Sequence, residues 1–507
     1  MHAPAKTGFD NTAYLKAQTA SILDRVRRFR QKLYLEFGGK LLFDFHASRV
    51  LPGFDPNGKM KLLNKLKDKA EILLCIYAGD IEKKKIRADF GITYDADALK
   101  LIDDIREWEL DVSGVVLTRY DDQPSVKIFK NRLEHRGIRV YTHRTTKGYP
   151  TEIETIVSDE GYGANEYIIT KKPLVVVTGP GPGSGKLATC LSQMYHDYKH
   201  GVPSGYAKFE TFPIWDIPLK HPVNAAYEAA TADLGDKNLI DPFHLEKYGK
   251  TAVNYNRDIE IFPVLRRILE ELTHKKTIYE SPTDMGVNRV SAGIVDDEVV
   301  TEAARQEVIR RYFRYSCEQA MGFVDKKVVE RVELLMKEMN VSIEDRKTVP
   351  AARRAADEAR TRNKGHKGIY CGAAIELKNG VIITGKNSPL MHAASSLVLN
   401  AVKSLAGIPD SIPLLPLSIL ESVSALKKNV LRSKSASLDL EGTLISLSIS
   451  ATTNPAAQQA LSQLAELRGC EVHMTHMPTP GDEAGLKMLG LNLTSNPNFA
   501  SKDLFLG

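Results

Sequence analysis

The 507-residue chain has few cysteines and no long apolar run. Its five cysteines are scattered and never stand at CxxC spacing, which excludes a disulfide scaffold and a thiolate zinc site and favours the cytoplasm. No run of about 18 apolar residues occurs, so we expect no membrane span. Residues 1–14 lack a basic region followed by an apolar core, so we expect no secretory signal. The 43% hydrophobic content, with only 35 glycines and 24 prolines, excludes disordered and collagen-like classes.

Positive charge is concentrated in one short segment. Of the net charge of +6, residues 350–367 carry +4, from six Lys/Arg and two acids. The rest of the chain is near neutral, so a nucleic-acid-binding surface over the whole molecule is not indicated. The segment has no aromatic residues that could stack on bases. We interpret it as a solvated helix face or linker, with a phosphate or RNA contact as the alternative.

The first part of the chain alternates apolar strands with amphipathic helices. An N-terminal helix over 9–30 and a hairpin around Gly38 and Gly39 come first. The predicted strands that follow are 71–77, 114–118, 138–141 and 174–178, with helices over 97–108 and 124–136. Strands separated by helices are typical of a parallel sheet with helices on its faces. The sequence therefore predicts an α/β fold with an N-terminal parallel-sheet domain.

Three domains are predicted: 1–296, 297–368 and 369–507. Residues 201–296 are rich in polar and aromatic residues with weak periodicity, which is typical of site-bearing loops. Residues 297–340 read as a helical hairpin that turns at Gly322, followed by the basic linker. The last domain shows a second α/β pattern: a hairpin that turns at 379–380, a helix over 391–406, strands over 443–449 and 471–475, and a helix over 455–468.

The sharpest local signal is a glycine-rich turn between a buried strand and a helix. Glycines let the backbone bend and approach an anion closely, and a helix start offers free N–H groups and the positive end of its dipole. A lysine at the helix start adds a mobile positive charge. The predicted ligands of a phosphate-bearing cofactor are Gly179, Gly181, Gly183, Ser184, Gly185, Lys186 and Thr189.

This turn departs from a Walker A loop in two places. Pro180 stands where the first glycine should fall, and Leu187 replaces the hydroxyl residue that binds Mg²⁺. Ser184 or Thr189 could substitute only with altered geometry. A tight structural turn, or a site for another anion, remains open. Asp44 ends an apolar run like a Walker B acid and is a candidate metal ligand, although it precedes the turn.

The polar middle segment supplies candidate catalytic groups, because acid–base chemistry needs carboxylates and imidazoles held near a substrate. The candidates for catalysis are Glu210, His221, Asp233, His244 and Arg257, with Glu228, Asp241 and Asp284 as further polar candidates. The alternative is that about half of these residues cap helices or form turns, as Asp241 before Pro242 would. No HExxH, CxxC or GxSxG motif favours one reaction.

Long motifs identify a family resemblance over nearly the whole chain. They include Phe9-Asp-Asn-Thr-Ala-Tyr-Leu, Lys32-Leu-Tyr-Leu-Glu-Phe-Gly-Gly-Lys, the glycine turn through Gln193, Ala207-Lys-Phe-Glu-Thr-Phe-Pro-Ile-Trp and Tyr227-Glu-Ala-Ala-Thr-Ala-Asp. With these motifs the chain resembles the bacterial family called domain of unknown function 1846. The resemblance implies a bacterial protein of about this length and implies no particular reaction.

Residues 370–405 are similar to the first half of a cytidine-deaminase-like domain. The order is a Gly-Ala-Ala hairpin, a Gly-x-Asn end and a helix opened by His392-Ala. The catalytic Glu of that motif is replaced by Ala394, and the Pro-Cys-x-x-Cys zinc motif is absent. The resemblance therefore implies a deaminase-like C-terminal α/β domain without zinc. The metal ligands also fail to converge, because Cys470 and His473 would point to opposite faces of one strand.

Two functions fit these observations. The first is an enzyme or binding protein for a phosphorylated small molecule or nucleotide, held at the glycine turn. The second is a non-catalytic scaffold that self-associates through its degenerate C-terminal domain. The expected partner is a small anionic ligand, with no membrane and no nucleic acid, and the chain is expected to form a homo-oligomer.

Overall fold

The computed structural model describes residues 7–29, 31–87, 91–430, 432–433 and 435–501. The chain divides into two units, which meet in sequence between Ala304 and Arg305. Among the described residues, no helix is both long enough and apolar enough to cross a membrane.

The elements of the first unit lie as follows. The helices are α1 (Asn11–Arg28), α2 (Phe45–Val50), α3 (Gly58–Asn64), α4 (Ala78–Glu82), α5 (Tyr94–Glu107), α6 (Pro124–Glu134), α7 (Ile153–Ile156), α8 (Lys186–Lys199), α9 (Pro222–Ala230), α10 (Pro242–Tyr248), α11 (Asn256–Thr273) and α12 (Pro282–Met285). The strands are β1 (Lys32–Phe37), β2 (Ala70–Tyr77), β3 (Ile86–Arg87), β4 (Ile92–Thr93), β5 (Val112–Thr118), β6 (Val140–His143), β7 (Leu174–Thr178), β8 (Ser204–Phe209), β9 (Asn238–Ile240), β10 (Val253–Tyr255) and β11 (Gly286–Val287).

Seven of these strands form one sheet in the order β11-β8-β1-β7-β2-β5-β6. All neighbouring strands run parallel, which confirms the predicted α/β class. Helices cover both faces, as a parallel sheet requires. Residues of α8 and α11 pack on one face against Tyr34 and Val177, and residues of α5 and α6 pack on the other against Ile76 and Leu117.

The predicted hairpin around Gly38 and Gly39 is wrong. β1 pairs in parallel with β7 and β8, and no returning strand follows it among the described residues. Every residue of β1 is buried, because the strand lies in the middle of the sheet with helices on both faces. A strand in that place has its hydrogen-bonding edges filled by non-local partners, which local turn chemistry does not reveal.

The polar middle segment holds regular elements as well as loops. Three of its short helices begin with proline directly after the cap residues His221, Asp241 and Ser281. Proline is well suited to this first helical position, since its missing N–H would have no partner there. Two of the polar candidates predicted from the sequence, His221 and Asp241, therefore stand at helix starts.

The elements of the second unit form a smaller sheet with helices on both faces. The helices are α13 (Asp297–Ala320), which begins before the boundary, α14 (Lys326–Glu338), α15 (Thr348–Thr361), α16 (Ala393–Ala406), α17 (Leu417–Ala425), α18 (Leu440–Ser450), α19 (Pro455–Ser462) and α20 (Pro480–Met488). The strands are β12 (Gly372–Glu376), β13 (Ile382–Lys386), β14 (Glu471–Met474) and β15 (Asn492–Ser495). The turn between α13 and α14 contains Gly322, as predicted, with a φ of 79°.

The sheet order of the second unit is β13-β12-β14-β15. The predicted hairpin is confirmed as the antiparallel pair β12 and β13, and β14 pairs with β15 in parallel. The predicted strand over 443–449 is wrong, since this segment is helix α18. Asp439 caps that helix by accepting a hydrogen bond from the N–H of Gly442 (2.9 Å), and the buried positions Leu440, Thr443 and Leu447 recur at helical spacing. The short apolar run fitted a strand and a helix equally well.

Two glycines bring helices against opposite faces of this sheet. A Cβ on Gly372 would lie 2.2 Å from the carbonyl oxygen of Ala352 in α15. A Cβ on Gly385 would lie 2.3 Å from the backbone nitrogen of Leu397 in α16. Because both obstacles are backbone atoms, only a shift of the whole helix could relieve either clash.

We therefore expect Gly372→Ala and Gly385→Ala each to destabilise the protein by about 1–3 kcal/mol, the usual cost of overpacking. Urea unfolding of the purified chain measures the change, with Ser448→Ala on the exposed side of α18 as a control that should change little. Unchanged unfolding midpoints for both glycine variants would contradict the close packing described here.

Candidate functional site

The carboxyl ends of β7, β1 and β8 meet at one edge of the large sheet. β1 lies between the other two strands, although both follow it far along the chain. Ligands of open α/β sheets bind outside the carboxyl ends of the strands, where the strand order reverses. The glycine turn follows β7, Gly38 follows β1 and Glu210 follows β8. The candidate site therefore lies at this edge of the sheet.

The glycine turn 179–185 joins β7 directly to α8. Its φ angles at Gly183 and Gly185 are 70° and 85°, a left-handed conformation that favours glycine. Gly185 is the N-cap of α8, and no side chain makes a capping hydrogen bond there. The N–H groups of the first helical turn have no acceptor within the helix and carry the positive end of its dipole. Such a helix start can hold an anion.

Side chains at the end of β5 hold two carbonyl groups of the turn. The Thr118 hydroxyl donates to the carbonyl oxygen of Ser184 (2.8 Å), and the Arg119 guanidinium donates to that of Gly183. Arg119 also lies over the ring of Tyr77, with 3.5 Å between the guanidinium carbon and the ring centroid. The carbonyl oxygens of Gly183 and Ser184 therefore already accept hydrogen bonds from the end of β5.

The two polar side chains predicted in α8 lie in different surroundings. The half-buried Lys186 reaches back over the turn, with Nζ 3.4 Å from the carbonyl oxygen of Gly181 and 3.4 Å from Oγ of Ser184. Thr189 is fully buried and accepts a hydrogen bond from the thiol of Cys75 (3.4 Å). Lys186 is therefore placed to meet an anion at the turn, whereas Thr189 belongs to the core.

A buried lysine that was not among the sequence candidates organises the neighbouring strand β8. Nζ of Lys208 lies 2.6 and 2.7 Å from the two carboxylate oxygens of Asp258 and 2.9 Å from Oε1 of Glu210. The Tyr255 hydroxyl donates to the same Glu210 oxygen (2.8 Å) and also contacts Lys208. Glu210 therefore lies within a largely buried polar network, together with Lys208, Tyr255 and Asp258.

The adjacent strand β1 adds another carboxylate to this network. Glu36 is in register with Lys208, so both side chains stand on the same face of the sheet. The Tyr206 hydroxyl donates to Oε2 of Glu36 (2.8 Å). The sequence contains a signal for these residues. Polar side chains occupy every second position near the ends of two otherwise apolar strands, at 34 and 36 and at 206, 208 and 210.

Burial and charge shift the pKa values of this network in opposite directions. Burial and the nearby Asp258 raise the pKa of Glu210 to about 7, against the opposing effects of Lys208 and Tyr255. Burial lowers the pKa of Lys208, but Asp258, Glu210 and Glu36 outweigh it and raise the pKa above its usual value. Lys208 therefore stays charged, and Glu210 exchanges its proton near neutral pH.

The loop after β1 is fixed against this network. A Cβ on Gly38 would lie 2.8 Å from Cγ of Glu210, so only glycine fits there without a shift. The buried Lys59 donates to the carbonyl oxygen of Lys40 (2.9 Å) and to the carboxylate of Asp44 (3.0 Å). Asp44 also caps α2. The candidate metal ligand Asp44 is therefore engaged in holding this loop.

The other four predicted catalytic residues have partners away from the glycine turn. Arg257 pairs with Asp236 (2.5 and 2.8 Å) and touches the network only through the ring of Tyr255. His221 caps α9 and contacts Asp297 (2.9 Å).

His244 contacts the hydroxyl of Ser281 (3.0 Å), and Asp233 lies exposed in a short turn of 3₁₀ helix. Of the five predicted catalytic residues, the structure therefore brings only Glu210 to the sheet edge, with Arg257 adjoining it.

In the second unit, His392 is the N-cap of α16 and donates from Nδ1 to the carboxylate of Asp482 (2.8 Å). Asp482 is buried and also accepts hydrogen bonds from the Thr479 hydroxyl (2.8 Å) and the N–H of Leu440 (2.9 Å). Ala394 is fully buried in the core. Within the described ranges, no three His, Cys, Asp or Glu side chains are grouped so that they could hold a metal ion.

Comparison with known proteins gives consistent matches over the whole length. The family model for the N-terminal part of domain of unknown function DUF1846 matches residues 7–340, and the model for its C-terminal part matches residues 344–505. A UPF0371 protein of Clostridium botulinum (strain ATCC 19397 / Type A) is 56% identical over 501 residues, covering 99% of both chains. A UPF0371 protein of Clostridium tetani (strain Massachusetts / E88) is 55% identical over 500 residues, again with 99% coverage of both.

The raised pKa of Glu210 predicts a pH-dependent stability. Between about pH 4.5 and 7 the unfolded chain releases the Glu210 proton while the folded chain keeps it, so stability falls as pH rises and the loss levels off above about pH 7. We expect this loss to reach up to about 3 kcal/mol and to be absent in Glu210→Gln, which carries no proton to release.

Urea unfolding at pH 5, 6, 7 and 8 tests this expectation on the unmodified protein and on Glu210→Gln. The exposed Glu134→Gln on α6 is the matched control and should follow the unmodified protein. If stability curves of the unmodified protein and Glu210→Gln run parallel over this range, Glu210 is not the proton-exchanging group.

Proposed function

The chain belongs to the DUF1846 family, and from that premise we propose that it binds a phosphorylated small molecule or nucleotide at Gly179–Lys186 and acts on it as an enzyme. One observation carries this proposal: the glycine turn and the acid–base network lie on three consecutive strands, β7, β1 and β8, at one edge of the sheet. A binding element and a reacting group at one edge are the two parts that an enzyme site needs.

The binding half of the proposal is supported by the form of the turn. Left-handed glycines at Gly183 and Gly185, an uncapped helix start and the side chain of Lys186 together form a cradle for a phosphate group. Leu187 replaces the hydroxyl residue that would bind Mg²⁺ in a Walker A loop. The proposal therefore concerns phosphate binding and does not include nucleotide hydrolysis by a Walker mechanism.

The catalytic half is supported by Glu210 and its surroundings. An acid–base group works best when its pKa lies near the working pH, and burial raises the pKa of Glu210 to about 7. Lys208 remains protonated beside it, so a positive charge is available to stabilise an anion that forms when Glu210 removes a proton. We assign proton transfer to Glu210 and charge stabilisation to Lys208.

For the second unit we propose a deaminase-like fold that has lost its chemistry. The hairpin β12–β13, the helix opened by His392 and the parallel strands β14 and β15 support the topology. Ala394 in place of the catalytic Glu supports the loss.

A self-associating binding protein is the second candidate function, and exposed apolar residues favour it. Ile445 and Ile449 stand one helical turn apart on α18 and are 64% and 52% exposed, and Leu417 on neighbouring α17 is 60% exposed. Apolar side chains exposed close together are typical of association surfaces. A second copy of the chain is the proposed occupant.

If this surface joins two copies, Ile445→Lys combined with Ile449→Lys should dissociate the oligomer, because buried charges would face one another. Sedimentation velocity measures the mass, and Ile128→Lys, at an apolar position on α6 that is 70% exposed, is the matched control. An unmodified chain that already sediments as a monomer contradicts this candidate.

Ligand binding at the turn is tested by removing the charge of Lys186. We expect inorganic phosphate, AMP or a sugar phosphate to raise the thermal unfolding midpoint of the unmodified protein, because a ligand that binds the folded state stabilises it. Lys186→Met should weaken binding about tenfold or more, since a charge-assisted hydrogen bond contributes about 1.5–3 kcal/mol.

The matched control is Lys199→Met, which removes a lysine from the last turn of the same helix. It should leave the affinity unchanged. Equal affinity of the Lys186 variant and the unmodified protein, or the absence of any stabilisation by all three ligands, would exclude the turn as a phosphate site.

A further inference from the structure

We propose that the ligand of this site is a sugar phosphate, with its phosphate at the glycine turn and its hydroxyl groups donating to Glu36 and Glu210. This inference rests on the proposed function and narrows it, since it selects a polyhydroxy compound and excludes a nucleotide. It also assigns a binding role to Glu36, which sequence reasoning did not single out.

The positions of the strands set the span of the ligand. The glycine turn leaves β7, Glu36 stands on β1 and Lys208 on β8, and these three strands are neighbours. Adjacent strands lie about 4.8 Å apart, so the phosphate end and the carboxylate end are separated by about 10 Å or less. A short phosphorylated carbon chain can cover this distance.

Glu36 on β1 is in register with Val177 on β7, two residues before the glycine turn. Burial raises the pKa of the Cys75 thiol to about 12, while Lys186 lowers it and Glu36 raises it. Burial also raises the pKa of the Cys190 thiol. As for Cys75, Glu36 raises this pKa and Lys186 lowers it. Lys186 and Glu36 thus act on these thiols with opposite signs, one positive at the turn and one negative beside it.

Glu36 and Glu210, the carboxylate end of the site, each have one carboxylate oxygen without a donor among the described residues. Glu36 accepts one hydrogen bond, from Tyr206 at Oε2, and within the described residues no donor reaches its Oε1. Both hydrogen bonds to Glu210 go to Oε1, which leaves its Oε2 without a described donor. Three carboxylates face the single buried charge of Lys208. A ligand that brings hydroxyl donors to this end satisfies the free acceptors, which a bare phosphate cannot do.

Two buried hydroxyl groups nearby also lack partners. Thr178 is the last residue of β7 and Thr211 follows Glu210, and both are at least 95% buried. Neither Oγ1 has a hydrogen-bond partner in the part of the chain that the structure describes. Buried hydroxyls without partners are rare in folded proteins, and a polar ligand bound at these strand ends is one way to satisfy them.

The rings of Tyr255, Phe37 and Phe209 disfavour a nucleobase at the carboxylate end of the site. A base binds by stacking on an aromatic face. The ring of Tyr255 in this network already has Lys208 at 4.6 Å and Arg257 at 5.5 Å from its centroid. Phe37 and Phe209 stack on each other with 4.3 Å between their centroids, and their side chains point to the other face of the sheet from Glu36 and Lys208.

Isothermal titration with glucose 6-phosphate, AMP and inorganic phosphate tests this inference on the full chain. We expect glucose 6-phosphate to bind at least tenfold more tightly than inorganic phosphate, and AMP to bind no more tightly than inorganic phosphate. Hydrogen bonds to charged groups have the size needed for this difference.

The variant Glu36→Gln keeps the shape of the side chain and removes its charge. It should abolish the advantage of glucose 6-phosphate over inorganic phosphate, and Glu134→Gln should change neither affinity. If Glu36→Gln does not fold, the ranking of the three ligands on the unmodified protein still decides the question.

The outcomes separate this inference from the proposed function. Equal affinities for all three ligands, or tighter binding of AMP, overturn the sugar phosphate and leave the phosphate site standing. Loss of the advantage in Glu36→Gln supports the assignment, whereas a retained advantage overturns the role of Glu36. Failure of all three ligands to bind rejects the proposed function itself.

Discussion

The candidate site depends on one buried lysine. Lys208 lies among Asp258, Glu210 and Glu36, and only 12% of its side chain is exposed to water. Taking these charges out of water is costly, and the attraction between them offsets that cost only when their geometry is good and their remaining hydrogen bonds are satisfied. Tyr206 and Tyr255 provide two of those hydrogen bonds. Burial, and after it the nearby charge of Asp258, raises the pKa of Glu210 toward neutrality against the opposing effect of Lys208.

Steric constraints on the backbone determine the form of the glycine turn. A strand that ends in the middle of the sheet must turn into a helix in seven residues, and side chains would collide there: a Cβ on Gly179 would lie 2.4 Å from the carbonyl oxygen of Cys75, and one on Gly181 would lie 2.5 Å from the ring of Tyr94. Thr118 and Arg119 then fix the carbonyl groups of the turn. The same glycines that packing requires also bring the start of α8 to the carboxyl edge, next to the charged network.

In the second unit, one buried carboxylate joins three helix starts. His392 opens α16, and its imidazole is bound to Asp482, which in turn accepts hydrogen bonds from the N–H of Leu440 and the hydroxyl of Thr479. With Ala394 buried in the core, this cluster ties the starts of α16, α18 and α20 together. The described contacts of this cluster hold helices together.

The sequence by itself determined the α/β class, most of the strands and helices, the family and the place of the glycine turn, because these follow from local periodicity, glycine positions and long motifs. It also selected Glu210. It did not determine the pairing of β1 with β7 and β8, the helical state of 440–450, or the partners of Lys208. Strand order brings Glu36 beside Lys208 although 172 positions along the chain separate them, and packing decides which polar residues are buried together. Charges shift one another's pKa only at short distance, and that distance is a property of the tertiary structure.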